Sequence, residues 1–275
     1  MRVTVIVLST LAILPAIASS QNAVGTLPAK PIYYDTFSRP WIDPAKWLGV
    51  GPWCAQGTTL ECVREIQEGR LRLEIRNTGL TNSDSGFQFG DSPQPFINPN
   101  SIFSFTADVQ LGRVRIVGCP TNVTDQPTRV IAKLGASWFN TGSLDLADDV
   151  TDDVLFLIDA SNPKYIQILN WLSGSGLGVP TPIANHPLGT PLTASNTWDR
   201  ANHRFITVVQ VTGDPDSARK VVVPYLVPDS ALPAVPYKEF DSMAYSLNCT
   251  STQTFAAIEV FFDNVVINNP PPFNE

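Results

Sequence analysis

Two carboxylates four residues apart, Glu259 and Asp263, are the nearest approach in this sequence to the acid and base of a hydrolase. On one face of a strand rising ~3.3 Å per residue their backbones stand roughly 13 Å apart, wider than hydrolysis by a carboxylate pair uses. The two histidines offer little more. His186 lies in a proline-rich stretch and His203 opens a strand, neither within G-x-S-x-G or a Ser-His-Asp order, so structural imidazoles are expected. The run GSGLG at 174–178 lacks the spacing and the following helix of a phosphate cradle. The acidic stretch 145–153 lacks the glycine and terminal glutamate of a calcium loop and reads as a solvated face. Aromatic residues give the best binding signal. Tyr165, Gln167, Leu169 and Trp171 alternate with Ile166 and Ile168, and exposed rings beside an amide suit stacking on a sugar. The same rings turned inward would be core, and Trp138 beside Phe139 presents the same two readings.

The ends and the charge bound what those residues could serve. Arg2 followed by a broken apolar run from 3 to 17 and the small residues Ala18, Ser19 and Ser20 predicts a signal peptide over residues 1–20, with the product exported, extracellular or periplasmic. No later stretch reaches the ~20 apolar residues of a membrane span, so no membrane insertion is expected. Roughly 255 residues then remain, with no repeat or linker to divide them, and 21–275 reads as a single domain. Eighteen Lys plus Arg against 25 Asp plus Glu give a net charge of -7 without a basic cluster, which disfavours nucleic acid and anionic surfaces. Four cysteines in an exported chain, Cys54, Cys62, Cys119 and Cys249, predict disulfides rather than zinc. Of three pairings, Cys54 with Cys62 across a short loop and Cys119 with Cys249 are preferred.

Positioning any such group falls to strands. Leu71, Leu73 and Ile75 alternate with Arg70, Arg72, Glu74 and Arg76, and residues 102–111 repeat the pattern, as half-buried antiparallel strands do. Further strands are predicted over 129–139, 154–158, 165–171, 204–211, 221–227 and 255–267, rich in β-branched and aromatic residues. The 24 prolines leave little room for helices. One short helix is the exception, over 143–154, where the aspartates follow helical spacing. The class is all-β, a sandwich of two antiparallel sheets.

Three passages carry a family resemblance: YYDTFSRPWIDPAKWLGV with Asp35, Phe37, Ile42, Asp43 and Trp47; the EGRLRL strand at 68–73; and FFDNVV with Phe262, Asp263 and Asn264. They resemble the concanavalin A-like lectin and glucanase superfamily, in particular its laminin G-like jelly rolls, over most of the chain. The resemblance implies a jelly roll whose first and last strands are neighbours. It implies a candidate structural calcium near Asp35 and Asp263, and no other cofactor. Glucanases of that fold carry an E-x-D-x-x-E run, and no such run is present here. Alginate lyases carry R-x-E-x-R, which Arg72, Glu74 and Arg76 match, together with a glutamine and histidine on a neighbouring strand, where Gln167 stands without a histidine. Solvent-facing charges are the simpler account of that strand. Export, the resemblance and the missing carboxylate pair favour recognition of an extracellular glycan without catalysis, ahead of a hydrolase or lyase and of a structural or adhesive surface protein.

Overall fold

Period-two alternation produces two antiparallel sheets in the computed structural model, which describes residues 30–44, 46–47, 60–77, 85–89, 103–117, 128–142, 149–174, 180–233, 238–245 and 255–268. The signal-peptide segment, Cys54, Cys119 and Cys249 lie outside the described residues, so the predicted pairings stand as expectations; Cys62 packs partly buried against the core. The strands are β1 (Ile32–Asp35), β2 (Leu60–Gln67), β3 (Arg70–Asn77), β4 (Ser85–Phe89), β5 (Ser104–Val117), β6 (Arg129–Asn140), β7 (Asp149–Asp159) and β8 (Tyr165–Ser173). They continue with β9 (Thr181–Pro187), β10 (Leu192–Asp199), β11 (Arg204–Val211), β12 (Asp214–Pro224), β13 (Leu232–Pro233), β14 (Lys238–Tyr245) and β15 (Phe255–Ile267). The first sheet runs β12-β11-β10-β5-β15-β3-β2 with β1 added on β15, and the second β4-β14-β6-β7-β8-β9 with β13 added on β6. The all-β sandwich is therefore as expected, and the first and last strands are neighbours, Ile32 opposite Ile267. Among the described residues no helix is long and apolar enough to cross a membrane.

Each strand turns one row of apolar side chains to the space between the sheets. Leu71, Leu73 and Ile75 from β3, Phe105, Ala107, Val109 and Leu111 from β5, and Ile258, Val260 and Phe262 from β15 meet Val130, Ala132 and Leu134 from β6 and Val154, Phe156 and Ile158 from β7. A spine of rings fixes the middle of this core: Phe240 stacks on Phe262 at 4.2 Å between centroids and touches Trp47 at 5.4 Å and Phe105 at 5.6 Å. Asp35 ties the N-terminal passage to that spine, its two oxygens accepting from Trp47 Nε1 at 2.7 Å and the Phe37 amide at 2.9 Å. Between β2 and β3 the two-residue turn Glu68-Gly69 has positive φ at both positions, 53° and 72°, the twist that closes a tight hairpin and that Gly69 adopts without strain. A register shift in β15 after Asp263, with Asn264 at φ 49°, lets Phe262, Val265 and Ile267 all face inward.

Two expectations are corrected. Residues 149–154 form part of β7, not a helix, while 143–148 lie outside the described residues. Val150 and Val154, four apart, fit one helix face and one strand face equally, and pairing of β7 with β6 and β8 decides for the strand. Trp138 is no exposed platform. It is half-buried, packs beside Phe205 at 6.3 Å and carries Lys238 Nζ 4.6 Å over its ring, because an irregularity in β6 at Ser137 to Phe139 turns both aromatics toward the core.

Candidate functional site

Chemistry first has to be removed from the outer face of the first sheet, where the sequence placed its charged strand. Arg72 and Glu74 are buried there, 8% and 5% exposed, rather than solvated. Arg72 donates from Nε to Glu259 at 2.7 Å, from Nη1 to Glu65 at 2.7 Å and from Nη2 to Glu74, while Arg76 Nε reaches Glu74 at 2.6 Å. All three guanidinium nitrogens of Arg72 are thus committed to carboxylates, and none is left to neutralise a uronate. Gly112 makes this packing feasible, since a Cβ there would stand 2.6 Å from Glu259 Oε2. Burial raises the Glu259 pKa, but hydrogen bonds from Arg113 and Arg72 outweigh it and hold the carboxyl below its ordinary range. Glu259 is a salt-bridge anchor, held by Arg72 and Arg113.

The two aspartates expected to hold calcium are near enough for their charges to act on one another, but both Asp35 oxygens already accept from N–H donors, and Lys46 Nζ lies 3.8 Å away. Asp263 Oδ1 accepts from the Asn264 amide at 2.7 Å. His203, at the turn before β11, sets its ring edge-on to Trp198 at 6.5 Å, a packing role. His186, on β9, has its pKa lowered by partial burial and by Arg219.

The outer face of the second sheet is different. Ile166, Ile168 and Leu172 of β8 face the core, so Tyr165, Gln167 and Trp171 face outward, with Tyr165 49% and Trp171 37% exposed. Trp171 stands directly opposite Asp153 of β7, which is opposite Gly135 of β6, which is opposite Glu239 of β14; Lys133, two residues back along β6, is opposite Asp241. Four ionisable side chains therefore gather on this face, and one of them, Asp153, has the exposed Trp171 as its cross-strand neighbour. Lys133 Nζ pairs with Glu239 Oε1 and lies 2.8 Å from Asp241 Oδ2. A Cβ on Gly135 would overlap Asp153 Oδ1 and stand 3.2 Å from Glu239 Oε1, so these two oxygens lie no more than about 5.5 Å apart. Asp153 Oδ1 is buried and has no hydrogen-bond partner among the described residues.

No protein-family model matches the chain, and no curated protein matches it. Solved lectins and alginate lyases resemble it in fold. Lectin I from Ulex europaeus, in complex with the methyl glycoside of α-L-fucose, is 13% identical with a TM-score of 0.39, covering 77% of this chain and 93% of that one. The PL-14 alginate lyase from Aplysia kurodai is 10% identical with a TM-score of 0.43, covering 82% of this chain and 92% of that one. The alginate lyase from Klebsiella pneumoniae is 10% identical with a TM-score of 0.38, covering 77% and 80%. At these values the site has to be read from this chain's own residues.

The electrostatics of the cluster follow from burial. Burial by itself would depress the Lys133 pKa, but Asp153, Asp241 and Glu239 reverse that and hold the ammonium well above its usual range. Burial pushes Asp153 up to about 7, against the pull of Lys133 and with the added repulsion of Glu239. Burial likewise raises Asp241 well above the usual carboxylate range, Lys133 again opposing. Near neutral pH Asp153 is therefore close to the midpoint between its two protonation states, beside a paired ammonium. Ile131, Leu155, Leu157, Leu169 and Met243 extend the same face as an apolar cluster. Sequence reasoning missed this site. Its signals were a glycine inside a predicted strand and the alternating Glu239 and Asp241 of KEFD.

Proposed function

We propose that this protein is exported and recognises a neutral glycan on the outer face of its second sheet. The observation that carries this reading is the outward, half-exposed pair Tyr165 and Trp171 on β8, with Gln167 between them, Asp153 one strand further in on β7, and Lys133 and Glu239 beyond it on β6 and β14. Indole and phenol rings stack on the C–H face of a sugar, while an amide and carboxyl groups bond its hydroxyls. Three carboxylates around one ammonium, on a chain of net charge -7, disfavour an anionic chain.

The test is a glycan array followed by calorimetry on the purified protein. Trp171→Ala is expected to weaken binding at least about tenfold and to leave the melting temperature nearly unchanged, because truncating a ring at the surface opens no core cavity. Unchanged affinity in the folded variant would remove Trp171 as a platform and the reading with it. Repeating the array with and without calcium tests the ion expected at Asp35 and Asp263.

A further inference from the structure

We infer that binding of sugar at Trp171 is coupled to uptake of a proton by Asp153, so that glycan is held more tightly as the medium turns acidic, an inference that rests on the glycan reading above. Its ground is a charge imbalance fixed by strand register. Asp153 of β7, Glu239 and Asp241 of β14 and Lys133 of β6 gather on one face, three carboxyl groups around one ammonium. Lys133 pairs with Glu239 and lies 2.8 Å from Asp241, whereas Asp153 Oδ1 is buried and has no hydrogen-bond partner among the described residues. One ammonium neutralises one carboxylate, so full ionisation would leave two uncompensated charges out of water, and retained protons relieve the cluster. The first sheet's cluster is balanced by contrast, with Arg72, Arg76 and Arg113 set against Glu65, Glu74 and Glu259.

Asp153 is the member of the cluster next to the sugar platform. It stands directly opposite Trp171, at the spacing of about 5 Å between Cβ atoms that cross-strand neighbours have, and keeps 8% of its surface exposed. A sugar stacked on the indole displaces water beside that remnant, and removing water penalises the carboxylate but not the acid. The groups facing Asp153 act in both directions. Lys133 of β6 favours its ionisation, Glu239 and Asp241 of β14 oppose it, β8 contributes the uncharged Trp171, and Asp152, next along β7, repels it from the core side. Burial outweighs Lys133 and pushes Asp153 up to about 7, so further desolvation acts where it changes the proton count most. Coupling is reciprocal: if bound sugar raises proton affinity at Asp153, the proton raises sugar affinity by the same factor. Affinity is then highest with Asp153 protonated and declines as pH rises through neutrality.

The test is calorimetric titration of the full protein with laminarin, xylan, galactan and mannan, run near neutral pH in phosphate and in Tris, whose different ionisation heats count the protons exchanged. Uptake of a fraction of a proton per bound sugar is expected, with affinity falling roughly tenfold between about pH 6 and 8.5. Asp153→Asn, which cannot titrate, should lose that dependence. Asp152 and Lys238, which burial places at about 8 and about 7, are unaltered in this variant, so their contributions separate from that of Asp153. If the variant fails to fold, the proton count on the unaltered protein carries the test, together with a readout that needs no sugar. The fluorine resonance of fluorotryptophan at position 171, identified by its loss in Trp171→Phe, should shift as pH crosses neutrality. A resonance that stays flat overturns the coupling. Binding that depends on Trp171 with no proton exchanged, or with a proton released, overturns the inference and leaves the glycan reading standing. A dependence that persists in Asp153→Asn overturns the assignment to Asp153. Absence of binding on the array and to all of these chains overturns both.

Discussion

Phe240→Ala is expected to destabilise the protein by roughly 3 to 5 kcal/mol, the usual consequence of deleting a fully enclosed aromatic side chain. Phe240 is completely buried on β14 and is the ring through which the two sheets meet, stacked on Phe262 of β15 and in contact with Phe105 of β5 and Trp47. Trp47 is itself fixed by its hydrogen bond to Asp35, so collapse around the vacated volume is resisted from several directions at once. Where the surroundings cannot relax, the cavity term stays large. For a domain of this size the midpoint of thermal unfolding should fall by about 10 °C. Urea denaturation of the variant beside Trp171→Ala gives the comparison. A loss under about 1 kcal/mol for Phe240→Ala would show that the ring spine does not hold the sheets together.

Asp152→Asn is expected to flatten the dependence of stability on pH. Asp152 faces inward from β7, fully buried, and accepts from Asn170 Nδ2 at 2.5 Å and the Thr207 hydroxyl at 3.2 Å, while Asn196 Nδ2 donates to its backbone oxygen at 2.5 Å. Burial raises its pKa to about 8, against the opposing hydrogen bonds of Asn170 and Thr207 and with added repulsion from Asp153. Folded Asp152 therefore keeps its proton up to about pH 8, while the unfolded chain releases it near 3.8. Between those values the unfolded state binds fewer protons, so stability falls as pH rises, by about 1.4 kcal/mol per unit and on the order of 5 kcal/mol across the window. The asparagine variant lacks this contribution and should exceed the parent in stability at pH 8. Lys238, lowered to about 7 by burial, acts with the opposite sign between about pH 7 and 10, so the difference between parent and variant is the quantity to measure. Parallel curves from pH 4 to 8 would show that Asp152 does not hold a proton in the fold.

The sandwich was legible because its signal is local. Leu71, Leu73 and Ile75, or Phe105 to Leu111, announce a strand through their own alternation, and the structure places all of them inside. The same alternation says nothing about which sheet lies opposite, so the outward direction of Trp171 stayed open until β7 and β9 were seen to flank β8. The charged row of β3 was read as solvated because its residue types are those of a surface; a glycine on β5 and a glutamate on β15 enclose it, and no property of β3 reveals them. The carboxylate pair was hidden more completely. A search along one strand finds Glu259 and Asp263, whereas Asp153 and Glu239 become neighbours only through pairing on both sides of Gly135. Register between distant segments is a long-range property that a pattern of neighbours does not contain.

The pairing of β1 with β15 has a mechanical side. The two strands are antiparallel, and the start of one, Ile32, is opposite the end of the other, Ile267, so tension applied through the two ends of the domain pulls both from the same end of the ladder. Bonds that lie across the strands are then loaded one after another, as in opening a zip, and not all together in shear. Under stretching, β1 would peel from β15 at low force, drawing Asp35 away from Trp47, whereas β6, β7, β8 and β14 belong to the other sheet and bear none of that first load.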